Sequence, residues 1–336
     1  MGETKLRGQT VTLARPVHIV GWGNVVGKKE GQGPLGGCFD SVDRDDRFGQ
    51  DSWEKAECRM QTLAMDRALA RAGLEGPDVM FAGDLLNQCI SSAYAARGRR
   101  IPFFGLYGAC STMGEGMILA AMTLDGGFGR YASAAASSHF CTAERQYRTP
   151  LEYGGQRPPT AQWTVTGAGA VVLDSMGEGP AITCCTVGRV TDKGITDANN
   201  MGAAMAPAAA DTLAAHFRDT GRSPDFYDRI FTGDLGVLGS QLLVELLDRE
   251  GYDLRANHDD CGKLIFDTER QDVHCGGSGC GCCATVLTGH ILPELVRGRW
   301  KNVLFCPTGA LHSPTAIMQG ESIPGICHAV AITGEE

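Results

Sequence analysis

Apolar and polar positions along the chain follow two alternating periods. Between 55 and 74 the residues Met60, Leu63, Ala64 and Leu69 recur at helical spacing and Gly73 stands near the end, which predicts an amphipathic helix. Short apolar runs at 79–82 and 101–106 predict strands. The stretch 112–124 is largely apolar, with Met117, Ile118, Leu119 and Met122, and predicts a buried helix. Residues 131–136 read as a further strand, and 164–173 as one with a glycine-rich start. Upstream of all these, 18–20 runs into Gly21-Trp22-Gly23, which reads as the end of a strand.

The same rhythm returns beyond residue 180. Strand patterns at 182–190 and 229–232 enclose a helical pattern at 208–217, and a Leu-rich helix follows at 240–250. Another helix is expected at 284–292, and 303–305 and 328–332 read as buried strands. This order predicts an internal duplication, with an N-terminal half 1–176 and a C-terminal half 177–336 meeting near 175–180. Glycines cluster at the ends of the apolar runs, as they do where strands feed tight turns in an α/β fold. One segment breaks the pattern. Residues 142–162 are mostly polar, with Pro150, Pro158, Pro159 and the pair Gly154-Gly155, while Tyr147, Tyr153 and Trp163 supply side chains for packing. An ordered lid or rim is expected there.

At 336 residues the chain suits two domains or one large fused core. A net charge of -9 and the lack of a basic stripe exclude nucleic acid as the main partner. The basic cluster Arg97, Arg99 and Arg100 reads as a solvated loop. No run of about 18 apolar residues exists for a transmembrane helix. The polar stretch 1–15 does not resemble a signal peptide, and Leu6 stands where a myristoylation motif needs Ser or Thr. Synthesis and retention in the cytosol are expected, with any membrane contact supplied by a partner. The 14 cysteines are expected to be reduced thiols, most of them small buried hydrophobes.

Cys110 stands apart from the rest. It follows the strand pattern 101–106 and the turn Tyr107-Gly108-Ala109, and it opens the buried helix at Ser111-Thr112. A thiol at a helix N-terminus is drawn toward the thiolate, and the same N–H groups can hold a carboxylate. Cys275 to Cys283 holds four cysteines with His274 beside them, but Cys280 and Cys283 form a lone CxxC. A glycine-rich turn entering the next helix accounts for that segment better than a metal centre or a redox dithiol. Dinucleotide, phosphate-loop and hydrolase-elbow motifs are not met, so no cofactor and no resident metal are expected.

These residues also carry a resemblance. Gly108-Ala109-Cys110-Ser111-Thr112 resembles the nucleophile segment of thiolases and ketoacyl synthases. The run Thr166 to Leu173 resembles the end of their first half, and Thr308-Gly309-Ala310-Leu311 their C-terminal glycine turn. Ser137 to Arg145, Gln156 to Trp163 and Gly276 to Gly281 are similar, more narrowly, to a sporulation branch of that superfamily, the stage V AD family. The resemblance implies a thiolase-like α/β fold, two similar halves forming a layered α/β/α/β/α core. It further implies binding of dipicolinic acid or its calcium chelate, membrane subunits of a spore channel as partners, peripheral association with the spore inner membrane, and a homodimer.

The enzyme relatives place a His after a strand of the second half and an Asn or second His in the next glycine turn. Here those places read Phe231-Thr232-Gly233-Asp234-Leu235-Gly236 and Gly276-Gly277-Ser278-Gly279. Without those donors an oxyanion on Cys110 chemistry loses its stabilisation, and Asp234 would raise the thiol pKa. Non-catalytic ligand binding is therefore expected, with Cys110, His139, Arg145, Arg157, Asp234, Gly277 and His312 at the ligand. Arg148 is a further candidate in the lid, since arginine forks suit planar carboxylates. The competing expectations are an acyltransferase using Cys110 as nucleophile, with His139 or His312 as base, and a scaffold whose pocket is vestigial.

Overall fold

The computed structural model describes residues 6–147 and 157–334. Five strands of the first half are β1 (Thr10–Val26), β2 (Val79–Gly83), β3 (Phe103–Leu106), β4 (Tyr131–Ser138) and β5 (Gly167–Asp174). The second half supplies β6 (Ala181–Thr186), β7 (Arg229–Thr232), β8 (His258–Asp260), β9 (Asn302–Cys306) and β10 (Ala329–Thr333). They lie in the order β8-β7-β9-β10-β6-β1-β5-β4-β2-β3, and Leu6–Arg7 adds a short strand beside β1. Each half thus has its third, second, fourth, fifth and first strand in sequence from edge to middle, which is the duplication expected of the repeated pattern. Pair directions repeat as well. β2 runs parallel to β3 and β4, and β7 parallel to β8 and β9, while the fifth strand of each half is antiparallel to both its neighbours.

Helices used below are α1 (Trp53–Ala72), α2 (Ile90–Arg97), α3 (Thr112–Asp125), α4 (Phe140–Tyr147), α5 (Met201–Thr220), α6 (Gly236–Arg249) and α7 (Cys280–Val286). Alternation along the strands sorts them into layers. Val171 and Leu173 of β5, and Val303 and Phe305 of β9, face a central cluster that holds Met113 and Met117 of α3 and Ala284 of α7. Their neighbours Ala170 and Val172 face α1 on one outer side. Leu304 and Cys306 face α5 and α6 on the other. This is an α/β/α/β/α arrangement in which the two half-sheets are joined edge to edge through β1 and β6.

Several sequence expectations change in the structure. Gly21 and Gly23 do not end a strand, because β1 continues through them to Val26. A Cβ at Gly21 would stand 2.2 Å from Ala68 O, and one at Gly23 2.5 Å from Ala64 O, so both glycines let α1 lie flush on the sheet. We expect Gly21→Ala to lower stability by ~1–3 kcal/mol through overpacking, seen as a lower urea midpoint. The helix expected at 284–292 starts earlier, at Cys280, and passes through a π-helical turn at Leu287–Ile291.

Helix α1 forms where the pattern placed it. Ser52 accepts from Lys55 N at its start, and Gly73 closes its end in the left-handed conformation at φ 68°. Cys184 and Cys185 lie mid-strand in β6 and are buried on opposite faces. Arg99 does not lie in a solvated loop: it donates to Thr62 O and pairs with Asp66 at 2.6 Å. No helix of the described residues is long and apolar enough to cross a membrane.

Candidate functional site

Cys110 and Ser278 come from matching places in the two halves. Each stands two residues before a buried central helix, Cys110 before α3 and Ser278 before α7. The chain turns sharply beside each: Ala109, just before Cys110, has φ 51°, and Gly279, just after Ser278, has φ 99°. A Cβ at Gly279 would meet Ser138 Oγ at 2.7 Å, so this turn requires glycine. The thiol and hydroxyl end 4.0 Å apart.

Asp234 lies directly beneath them, fully buried. Its carboxylate accepts from Ser278 Oγ at 2.9 Å, Gly279 N at 3.0 Å and Thr308 Oγ1 at 2.9 Å. Burial pushes the Asp234 carboxyl above the usual carboxylate range, opposed by these hydrogen bonds. Asp260 secures the turn from behind, accepting from Leu235 N and Gly236 N at the start of α6. Burial lifts Asp260 to about 7.

The dipole argument for a Cys110 thiolate does not hold in this setting. Burial holds the thiol well above its ordinary range, and the Asp234 carboxylate raises it further. A single N–H, from Gly279, works the other way. Other cysteines serve as props. Cys280 Sγ donates to Ala109 O at 2.9 Å, Cys283 to Cys110 O at 3.6 Å and Cys282 to Gly233 O at 3.7 Å. Cys280, Cys282 and Cys283 are buried, and among the described residues no group of His, Cys, Asp or Glu is arranged to hold a metal ion.

A cavity of about 580 Å³ opens above Cys110, Ser278 and Gly279. One wall is α4, through Ala143, Glu144, Gln146 and Tyr147, and the adjoining loop gives Leu85 and Asn87. Tyr147 Oη donates to Leu85 O at 2.7 Å and Gln146 Nε2 to the same oxygen at 2.8 Å, which ties these two walls together. The opposite wall comes from the second half: Ala198, Asn199, Met201 and Met205 at the start of α5, and 310–315 with His312. Asn200 caps α5 by accepting from Ala203 N. The His312 ring lies tilted against Tyr147 with centroids 5.3 Å apart.

Of the seven expected site residues, Cys110 and His312 line the cavity, and Asp234 sits just under its floor. Gly277 is set back from it. It pairs with Trp163 in a short parallel bridge, and its carbonyl accepts from Gln162 Nε2 at 2.8 Å. His139 points elsewhere: Nε2 donates to Asp46 O at 2.7 Å, and Nδ1 accepts from Cys141 N at 3.1 Å. Both ring nitrogens are thus engaged in a fully buried position, and burial lowers the pKa of the ring. Arg145 is at the surface, paired with Glu54.

Arg157 pairs with Glu144 at 2.6 Å and donates to Gln162 O at 2.8 Å. Its guanidinium lies 4.7 Å from the Trp163 ring centroid, and Trp163 stacks on Phe140 at 3.9 Å. It braces the cavity from outside and does not line it. Arg148 and Tyr153 of the expected lid lie outside the described residues, as do Pro150 and Gly154-Gly155. Asn87, Gln146, Asn199 and Met201 are lining residues that the sequence motifs did not single out.

Residues 7–333 match the family described as Stage V sporulation protein AD. Stage V sporulation protein AD of Bacillus subtilis (strain 168) is 48% identical over 329 residues, covering 97% of each chain. Among solved structures, 3-oxoacyl-(acyl-carrier-protein) synthase III from Aquifex aeolicus VF5 superposes with a TM-score of 0.57 at 14% identity, over 94% of this chain and 99% of that one. Xanthomonas campestris OleA bound with cerulenin gives a TM-score of 0.62 at 16% identity, over 98% and 99%. These neighbours share the thiolase-like fold. Fold and sequence together make this chain a member of the stage V sporulation protein AD family.

Proposed function

We propose that this chain binds dipicolinic acid, or its calcium chelate, without turning it over. In this role it passes the ligand to membrane subunits of a spore channel, for transport across the spore inner membrane during sporulation and germination. The observation that carries this reading is the Asp234–Ser278 pair beside Cys110, under an open cavity. A thiol held protonated beside a carboxylate is a poor nucleophile. The cavity volume is that of a small-molecule site.

Its wall chemistry suits a small aromatic acid. Tyr107, Tyr147 and His312 offer ring faces, while Asn87, Gln146, Gln162 and Asn199 offer amides. The N-termini of α3 and α5 border it with positive dipole ends suited to carboxylates. No Lys or Arg lines it among the described residues, and Glu144, which does, is paired with Arg157. This balance favours the neutral calcium chelate over the free dianion. The chain works as a homodimer held peripherally at the membrane by those subunits.

Titration calorimetry with dipicolinate, with and without calcium, and with acetyl-coenzyme A alongside, tests the proposal. The expected result is saturable dipicolinate binding, tighter with calcium, and no acyl mass on Cys110. Ala198→Trp, at the half-exposed rim, is expected to weaken binding at least about a hundredfold by filling the mouth, with an unchanged melting temperature. Absence of dipicolinate heat together with acylation of Cys110 would return the chain to the acyltransferases.

A further inference from the structure

Helix α1 turns a carboxylate into the core. Glu57 is fully buried, with Ser137 Oγ donating to its Oε1 at 3.1 Å and Thr142 Oγ1 to its Oε2 at 2.7 Å. Asp84, just past β2, is equally buried and accepts from Ser92 Oγ at 2.7 Å, Ser92 N at 2.8 Å and Leu86 N at 2.9 Å. Gln61 sits between the two acids, one turn along α1. Its Nε2 donates to Ser92 Oγ at 3.0 Å and to Ser137 Oγ at 3.2 Å, so one amide joins both carboxylates through two hydroxyls. Among the described residues no Lys or Arg bonds either acid. Gln61 Oε1 is buried without a donor, an acceptor of the kind a carboxyl O–H needs.

We propose that Glu57 and Asp84 hold one proton between them, and that this proton keeps two walls of the Cys110 cavity together and so links ligand occupancy to pH, a role that rests on the ligand-binding reading above. Glu57 holds Thr142 in α4, the helix that brings Glu144, Gln146 and Tyr147 to the cavity. Asp84 holds the loop that brings Leu85 and Asn87. That loop ends in two consecutive residues with positive φ, Gln88 at 64° and Cys89 at 47°, a shape its surroundings must impose. Two ionised carboxylates in a dry core with no cation repel each other, and the repulsion acts along the line between these walls.

Burial first, and then Asp84, lifts Glu57 to about 8. Burial likewise raises Asp84, opposed by its bonds from Ser92. Around the pair stand Cys58 on α1, Cys89 at the start of α2 and Cys280 at the start of α7. Each thiol is raised by burial and then by one or both acids, and Cys89 is held at about 11 with Glu115 of α3 adding to the effect. Arg97 of α2 acts on Cys58 in the opposite sense, and Arg145 of α4 is paired with Glu54 at the surface.

The linkage has a definite sign. A carboxyl raised on folding stabilises the protein at low pH, and that stability is lost as pH climbs from the ordinary carboxylate range through about 8. Ligand affinity, which needs the protonated pair, should stay level to about 8 and then fall by up to about tenfold per pH unit.

Melting curves from pH 5 to 9 for the wild type and Glu57→Gln, with infrared spectra and dipicolinate calorimetry, test this. The wild type should lose melting temperature between pH 5 and 8 more steeply than Glu57→Gln, and should show a larger protonated-carboxyl band at pH 7 than the variant, in which buried Glu30 and Asp260 still contribute. Dipicolinate affinity should fall about tenfold from pH 8 to 9 in the wild type and stay level in the variant. Coincident melting profiles, or equal protonated-carboxyl bands in the wild type and Glu57→Gln, would overturn the shared proton. Equal affinity at pH 8 and 9 in both proteins would overturn its link to the cavity. Melting profiles that part while dipicolinate gives no heat at any pH would uphold the proton and remove the ligand reading alone.

Discussion

Asp234→Ala is expected to cost ~3–5 kcal/mol of folding stability, measured as a fall in the urea midpoint at constant slope. Three donors, Ser278 Oγ, Gly279 N and Thr308 Oγ1, converge on this one carboxylate. A buried donor left without an acceptor costs ~1–3 kcal/mol, and the three share one network, so their losses do not simply add. Asp234→Asn keeps the volume and removes the charge. It should cost less stability, and it should let the Cys110 thiol fall toward its ordinary range, because Asp234 is the largest charge acting on it. Faster alkylation of Cys110 by iodoacetamide would register this. An unchanged midpoint in Asp234→Ala would mean that the donors find other acceptors.

Asp234→His combined with Ser278→Asn should move the site the other way, toward chemistry. It places an imidazole and an amide in the two segments where the resemblance to thiolases and ketoacyl synthases puts them, at the residues that stand beside the thiol. Oxyanion donors of this kind are worth about a hundred- to a thousandfold in rate. We expect acetyl-coenzyme A to acylate Cys110 faster by about that factor, followed as a mass increment in a variant shown by its melting curve to be folded. No acylation would mean that the cavity excludes the thioester, so that supplying the two donors is not sufficient for acyl transfer.

The elements that set the fold were largely legible because their signals are local. The apolar stripe of α1, the glycine stop at Gly73 and the strand runs at 79–82, 131–136 and 229–232 each follow from spacing within a few residues. The turn residues around Cys110 and Asp234 were legible for the same reason. What failed depends on partners far along the chain. Arg145 and Arg157 looked like carboxylate forks, but Glu54 and Glu144 take them, and sequence spacing does not show which acid an arginine will meet. His139 looked like a pocket residue until the loop 40–51 folded over it and supplied Asp46 O.

The Glu57–Asp84 pair was missed although a signal existed. Glu57 and Gln61 lie on the same helical stripe as Met60 and Ala64, and polar residues on a buried face are there for a partner. In the second-half wall of the cavity, His312 and the turn ending at Leu311 were marked, whereas 198–205 carried no such mark, because its place is set by the docking of one half on the other.

The matching order of strands in the two halves has a consequence for descent. Cys110 and Ser278 occupy one and the same position of the repeat, each two residues ahead of its central helix, and the cavity forms where the two copies meet. A symmetric ancestor would have carried the same side chain on both sides of that axis. Fusion into one chain freed each copy to diverge, so a nucleophile could persist in one while its partner mutated. The chemistry at the seam can then change on one side of a pseudo-twofold axis while the other side keeps its residue.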